Sequence, residues 1–189
     1  MDYMKRTIAI VVGSASRDSI NRRLANAVMA LGADRFDFVD ARIDDFPFFN
    51  VDHSKDPPAP VLRLKQEIGD ADGVIFVTPE HNRSIPALLK NAIDWGSRPA
   101  GSSCWILKPT AMLGASPGQT GTAAAQQHLR NILSPQQMII MGQPELYLHW
   151  KDGMIDADAQ VTDEAVKKRL NAFLDRFVLW IERVGAKSA

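Results

Sequence analysis

The chain has 189 residues, of which 46% are hydrophobic and 23% charged, a composition typical of a globular protein with one domain, here residues 1–189. Its 22 basic and 22 acidic residues give a formal net charge of zero, so no overall field favours nucleic acid or an anionic membrane as a partner. Cys104 is the only cysteine, which excludes an internal disulfide and predicts a reducing compartment, the cytoplasm.

Short apolar segments alternate with longer segments of helical period, a pattern typical of a parallel sheet covered by helices. The first strand is predicted at residues 7–12 (TIAIVV), a β-branched run suited to burial on both faces. Apolar residues recur at helical spacing over 20–31, and a second strand is predicted at 36–39. A loop rich in Asp, Pro and Phe follows at 44–58, after which Pro60 suits the first turn of a helix.

The third strand is the most apolar of the set, at residues 73–78 (GVIFVT). A helix follows it, with Ser84 as the predicted cap and Pro86 in the first turn. The fourth strand is predicted at residues 110–114. The spacing of these elements continues the alternation of the first half of the chain.

The last third of the chain completes the pattern with two helices and a strand. Apolar residues over 125–132 predict the fourth helix, and a fifth strand is predicted at 137–141. The last helix is expected to begin with Thr162 as cap, followed by Asp163 and Glu164, whose charges favour the positive end of a helix. No repeat or linker interrupts the sequence, in agreement with one domain.

In an open α/β sheet, ligands bind beyond the carboxyl ends of the strands, so the loops there carry the functional prediction. The first loop, residues 13–21 (GSASRDSIN), leaves a strand and enters a helix, so that N–H groups and the helix dipole favour an anion. The side chains suited to a terminal phosphate are Ser14, Ser16, Arg17, Ser19 and Asn21. The structural alternative is a helix cap at Ser19 or Asp18. Neither the G-x-G-x-x-G fingerprint nor a Walker A sequence is present.

The second loop, residues 78–84 (TPEHNRS), is held between two prolines and follows the third strand. The amide of Asn82 and nearby N–H groups could bind the edge of a flat heterocycle, with Arg83 or His81 against its face. The alternative is a charged structural loop. Because the four histidines are isolated in sequence and no cysteine pair exists, no metal site is predicted.

The third loop, residues 114–118 (GASPG), matches G-x-S-x-G, the nucleophile elbow of α/β-hydrolases. In that elbow the N–H of the residue after the serine helps to form the oxyanion hole, and here Pro117 follows Ser116 and has no N–H. The histidines downstream are His128 and His149, but no well-separated acid lies between, and Glu145 is too near His149 in sequence to be its partner. The loop is therefore predicted to let a ligand approach the backbone closely.

Together the three loops resemble the NADPH-dependent FMN reductase family. The motifs are G-S-x-x-x-x-S-x-N in the first loop, P-E-x-N-x-S-x-P followed by L-K-N-A-I-D-W over residues 79–95, and G-A-S-x-G with Q-x-H-L-R over 114–130. The resemblance implies a flavodoxin-like α/β fold, with a five-stranded parallel sheet of order 2-1-3-4-5 and helices on both faces. It also implies bound FMN and a homodimer or homotetramer. The helix that ends with Trp95 and Arg98 is expected to form part of the subunit contact.

Carried over by position, the resemblance assigns the five polar residues of the first loop to the FMN phosphate. The residues assigned to the isoalloxazine and ribityl chain are Pro79, Glu80, His81, Asn82, Arg83 and Ser84. Ser116 would close the other side of the ring. Many members have arginine where Ser16 stands, which leaves open whether Arg17 replaces it, and many have tyrosine at the positions of His81 and Arg83.

The implied activity is that of an FMN-dependent NAD(P)H oxidoreductase, which passes hydride from NAD(P)H through FMN to a small acceptor. Quinones, azo compounds, chromate or ferric species are the expected acceptors, and no catalytic side chain is expected because the flavin carries the chemistry. The alternative is a flavodoxin-like electron carrier or a flavin-binding regulatory protein without turnover of its own.

Overall fold

The computed structural model describes residues 5–185, which form six strands and five α-helices. In chain order these are β1 (Arg6–Val12), α1 (Ile20–Gly32), β2 (Phe36–Asp40), α2 (Ala59–Asp70), β3 (Gly73–Val77), α3 (Ala87–Gly96), β4 (Pro109–Ser116), α4 (Ala123–Leu133), β5 (Ile139–Ile140), β6 (Leu146–His149) and α5 (Glu164–Gly185). No helix within residues 5–185 is both long enough and apolar enough to cross a membrane.

The sheet is parallel with the order β2-β1-β3-β4-β5, which confirms the predicted topology. The structure adds a sixth strand to the five predicted, because β6 also pairs with β4. β5 pairs with the start of β4, at Pro109 and Thr110, and β6 pairs with its carboxyl half, from Leu113 to Ser116. The turn-forming residues 142–145 (GQPE) leave the sheet between them, so two short strands occupy the fifth position.

Helices cover both faces of the sheet because successive strand residues point to opposite sides. In β1, Ile10 packs on one face with Leu24 of α1 and Phe173 of α5, all of them inaccessible to solvent. Its neighbour Val11 packs on the other face in a cluster that contains Leu89 of α3, together with residues of α2 and α4. These two layers of helices thereby fix the carboxyl ends of the central strands along one edge of the sheet.

Two helices begin later than the sequence predicts. Ser84 does not cap α3, because its N–H and C=O pair with those of His81, and the helix starts only after Pro86. At α5 the cap is Asp163, whose Oδ1 accepts hydrogen bonds from the N–H groups of Ala165 and Val166. Thr162, the predicted cap, instead donates its hydroxyl to the carbonyl of Gly153.

The long loop between β2 and α2 is tied across α3. Trp95 is 1% exposed, donates its indole N–H to the Pro47 carbonyl at 2.9 Å, and meets the ring of Phe49 edge to face. Asn91 holds the same loop by accepting from the Phe49 N–H and donating to the Pro47 carbonyl. Trp95 is thus covered by its own chain, and the expectation that this helix forms part of a subunit contact stays a prediction for its other residues. Phe48, by contrast, is 87% exposed.

Candidate active site

The three loops chosen from sequence meet at the carboxyl edge of the sheet, around the ends of β1, β3 and β4. They enclose two adjoining cavities of about 270 Å³ and 410 Å³, here called the first and second cavity. Glu80 and Ser116 line both. The volume of the second cavity lies within the roughly 300–1,000 Å³ of small-molecule sites, and that of the first lies just below it.

Most of the predicted residues line these cavities. Those in the first cavity are Ser14, Ser16, Ser19, Asn21, Pro79, Glu80, His81 and Ser116. Those in the second are Glu80, Asn82, Arg83 and Ser116. Arg17 and Ser84 line neither, and Arg17 is exposed to solvent.

The first loop presents free hydrogen-bond donors at the start of α1. Gly13 continues the β-ladder by donating to the Val77 carbonyl at 2.9 Å, and Ser19 caps α1 by accepting from the Arg22 N–H at 3.1 Å. Within residues 5–185, no acceptor is placed against the backbone N–H groups of residues 14–17. Free N–H groups before a helix N-terminus form a site for a compact anion.

The side-chain amide of Asn21 is directed at the protein backbone, although the sequence assigned it to a phosphate. It is 1% exposed, its Nδ2 donates to the carbonyl of Ala115 and its Oδ1 accepts from the N–H of Ala115, both at 2.9 Å. Its amide therefore joins the first loop to the end of β4, although the residue lines the first cavity.

The second loop is a tight hairpin. His81 and Ser84 exchange two backbone hydrogen bonds of 2.9 Å, and the residues between them, Asn82 and Arg83, have φ angles of 51° and 63°. A two-residue hairpin loop with both residues in the left-handed region of φ and ψ is a type I′ turn, and its twist matches that of the paired strands. Such angles are uncommon without glycine and occur often at functional sites. The turn holds Asn82 and Arg83 at the wall of the second cavity.

Glu80 connects the second loop to α4. Its side chain is 8% exposed, and its carboxylate accepts from Arg83 Nη1 at 3.0 Å and from the N–H of Ala125 at 3.1 Å. The local cap residue Thr122 makes no side-chain capping bond, so Glu80 supplies the negative charge that a helix N-terminus favours. Ser84 lies against the same helix, with its Oγ 3.0 Å from His128 Nδ1.

The glycine at the start of the third loop has a structural reason. A Cβ on Gly114 would lie 2.1 Å from the carbonyl oxygen of Thr78 and 2.5 Å from Thr122 Oγ1, so no side chain fits there. Ser116 Oγ accepts from the Gly118 N–H at 3.1 Å. Among the described residues no histidine is hydrogen-bonded to Ser116, as a nucleophilic serine would require.

Comparison with known proteins gives the family. Residues 6–161 match the model of a family described as NADPH-dependent FMN reductase. The chain belongs to this family. The resemblance inferred from the three loops is thereby confirmed.

The chain has similar relatives over nearly its whole length. A 2-hydroxy-1,4-benzoquinone reductase of a Burkholderia species is 43% identical over 94% of this chain and 97% of the relative. A quinone reductase of Pseudomonas putida is 40% identical over 93% and 95%. Among solved structures, FerB of Paracoccus denitrificans, a flavoenzyme NAD(P)H:(acceptor) oxidoreductase, matches with a TM-score of 0.91 and 44% identity over 95% of this chain and 98% of FerB.

Some residues of the candidate site were missed from sequence. Gln119, Thr120 and Gly121 line the second cavity beyond the G-x-S-x-G match, and Asp18 lines the first. The polar, glycine-containing segment after Ser116 could have indicated that these residues line the site. The Q-x-H-L-R motif contains His128, so it could have indicated the contact of this histidine with the second loop.

Proposed function

We propose that this chain binds FMN in the two cavities and uses it to transfer hydride from NAD(P)H to small electron acceptors, with quinones as the first class to test. The observation that carries the proposal is the set of free donors in the first loop, just before the N-terminus of α1, in a chain that belongs to this family. The printed names of the Burkholderia and Pseudomonas relatives support quinones. The described residues offer no feature that selects one acceptor, so azo compounds, chromate and ferric species belong to the proposed range.

The donor set of the first loop fits a terminal phosphate. The hydroxyls of Ser14 and Ser16 and the free N–H groups of residues 14–17 provide several neutral donors for a dianion. The hydroxyl of Ser19 accepts from the Arg22 N–H and keeps its own proton for donation. Arg17 is exposed beside the loop and would add charge without lining the cavity.

The second and third loops fit a flat ring between them. Pro79, His81 and the left-handed pair Asn82–Arg83 form a rigid wall, and Ser116 stands at the junction of the two cavities. Glu80 presents no uncompensated charge to an anionic cofactor, because Arg83 and the start of α4 neutralise its carboxylate. When bound, FMN supplies the hydride chemistry. The residues of the chain would bind the cofactor and orient it.

The test begins with the purified protein and added FMN. We expect saturable flavin binding, and steady-state consumption of NADPH when benzoquinone is present. An electron carrier or regulatory protein would bind flavin and consume little NADPH, which would contradict the proposed activity. A colourless protein that ignores added flavin would contradict the cofactor as well.

We also propose a homodimer or homotetramer in the cytoplasm. The net charge of zero and the exposed side chains of Phe48 (87%) and Val51 (64%) support self-association, and the single cysteine supports a reducing compartment. Gel filtration at a monomer volume across protein concentrations would contradict the oligomer.

A further inference from the structure

Asn21 forms a two-point contact with the backbone of a single residue. It donates to the carbonyl of Ala115 and accepts from the N–H of the same residue, at 2.9 Å each, across 94 positions of sequence. With 1% of the residue exposed, water does not compete for these bonds. Paired donation and acceptance is the pattern by which a neighbouring strand holds a strand residue.

The geometry of β4 explains why this contact exists. Every second residue of a strand directs its N–H and C=O towards the same neighbouring strand. In β4, Leu113 faces the β3 side, because its carbonyl accepts from the N–H of Thr78, the residue after β3, at 3.0 Å. The chain turns away there at Pro79, so Ala115, two residues on, has no strand beside it. The side-chain amide of Asn21 makes the two hydrogen bonds with Ala115 that a neighbouring strand would otherwise make. On the opposite side, the Ser116 carbonyl accepts from the Trp150 N–H at 2.8 Å.

We infer that Asn21 is a positioning residue, which fixes Ser116 relative to the first loop, and is not a hydrogen-bond donor to the phosphate. The inference rests on the proposed FMN site. In that site Ser116 adjoins the ring and the first loop holds the phosphate, so the contact keeps the two ends of the cofactor site at one spacing. A residue with this role affects the affinity for a flavin whether or not the flavin carries a phosphate.

Riboflavin, which lacks the phosphate, separates the two roles. We expect Asn21→Ala to weaken FMN and riboflavin by the same factor, roughly tenfold for the loss of one to two hydrogen bonds. The matched variant Ser16→Ala removes a proposed phosphate donor and should weaken FMN alone. Affinities come from fluorescence titration of the purified apoprotein. If Asn21→Ala weakens FMN alone, or weakens neither flavin, the inference is wrong.

A spectroscopic readout distinguishes positioning from a purely structural role. At saturating flavin, we expect Asn21→Ala to change the visible absorption spectrum of bound riboflavin, because Ser116 shifts against the ring. Ser16→Ala, which acts at the other end, should retain the wild-type spectrum. Equal loss of affinity for both flavins with an unchanged spectrum would mean that Asn21 only stabilises the fold, and would overturn the inference.

Asn21→Asp keeps the inference testable if the alanine variant does not fold. Its carboxylate has nearly the same shape and accepts from the Ala115 N–H, but it does not donate to the carbonyl. Riboflavin is the probe here, since the new charge would repel a phosphate by itself. We expect weaker riboflavin binding, and wild-type affinity would contradict the inference. Failure of the proposed FMN site is separately visible, because the wild-type protein would then bind neither FMN nor riboflavin.

Discussion

At the scale of single residues, Ser14 offers the plainest test of the phosphate site. Its hydroxyl lines the first cavity and has no partner among the described residues. Ser14→Ala should weaken FMN binding by about 1.5–3 kcal/mol, roughly one to two powers of ten, the value of a hydrogen bond to a charged group. Ser134→Ala, at an exposed serine after α4, is the control. Unchanged FMN affinity in Ser14→Ala would refute its assignment.

Gly114 gives a second prediction at this scale, concerning packing. Gly114→Ala places a methyl group against the Thr78 carbonyl and Thr122 Oγ1, and we expect a loss of about 1–3 kcal/mol in the free energy of unfolding. Gly69→Ala is the matched control, because no atom lies within 4 Å of its added Cβ and the site is helical. That control should stabilise the protein by about 0.5–1 kcal/mol. Urea denaturation measures both, and a stable Gly114→Ala variant would contradict the packing argument.

At the scale of elements, Glu80 joins the second loop to the first turn of α4. Glu80→Ala leaves the Ala125 N–H without its acceptor and Arg83 without its carboxylate partner, and should lower the free energy of unfolding by about 1–3 kcal/mol. Glu80→Gln keeps an oxygen acceptor and should lose less. Thermal unfolding compares the two variants. Equal losses would show that the hydrogen bond to α4 contributes nothing beyond charge.

The elements were largely predictable where sequence pattern and burial agree. Strands β1 and β3 are continuous apolar runs, and the structure buries both between two layers of helices. The short strand β6 was missed because LYLH is only four residues long and follows a proline turn. The start of α3 was placed too early because Ser84 pairs with His81, a contact that the capping rule does not include.

Within the site, the loops were predictable and the directions of their side chains were not. Topology alone brings the ends of β1, β3 and β4 together, so polar loops there indicate a binding edge. The pairing of Asn21 with Ala115 depends on where β3 leaves the sheet, which no local pattern records. The exposure of Arg17 likewise depends on the path of its loop.

At the scale of the whole molecule, Cys104 links stability to pH. Burial raises the pKa of its thiol to about 12, so the folded protein holds this proton more tightly than the unfolded chain does. The resulting stability is complete below the ordinary pKa of 9.0 and is lost as the pH rises towards 12. Cys104→Ala should remove this part of the alkaline loss, by up to about 1.4 kcal/mol per pH unit. Urea unfolding from pH 8 upward would measure it, and identical pH slopes would contradict it.

The divided fifth position of the sheet has a consequence for whether another chain can add a strand to this side of the fold. A long border strand offers a row of unused N–H and C=O groups on which another chain can add itself. Here that border consists of one two-residue and one four-residue piece, offset along β4 and parted by a proline-containing turn. The fragmented border gives a foreign strand too few consecutive partners to extend the ladder, which protects this side of the fold from fibril-like growth.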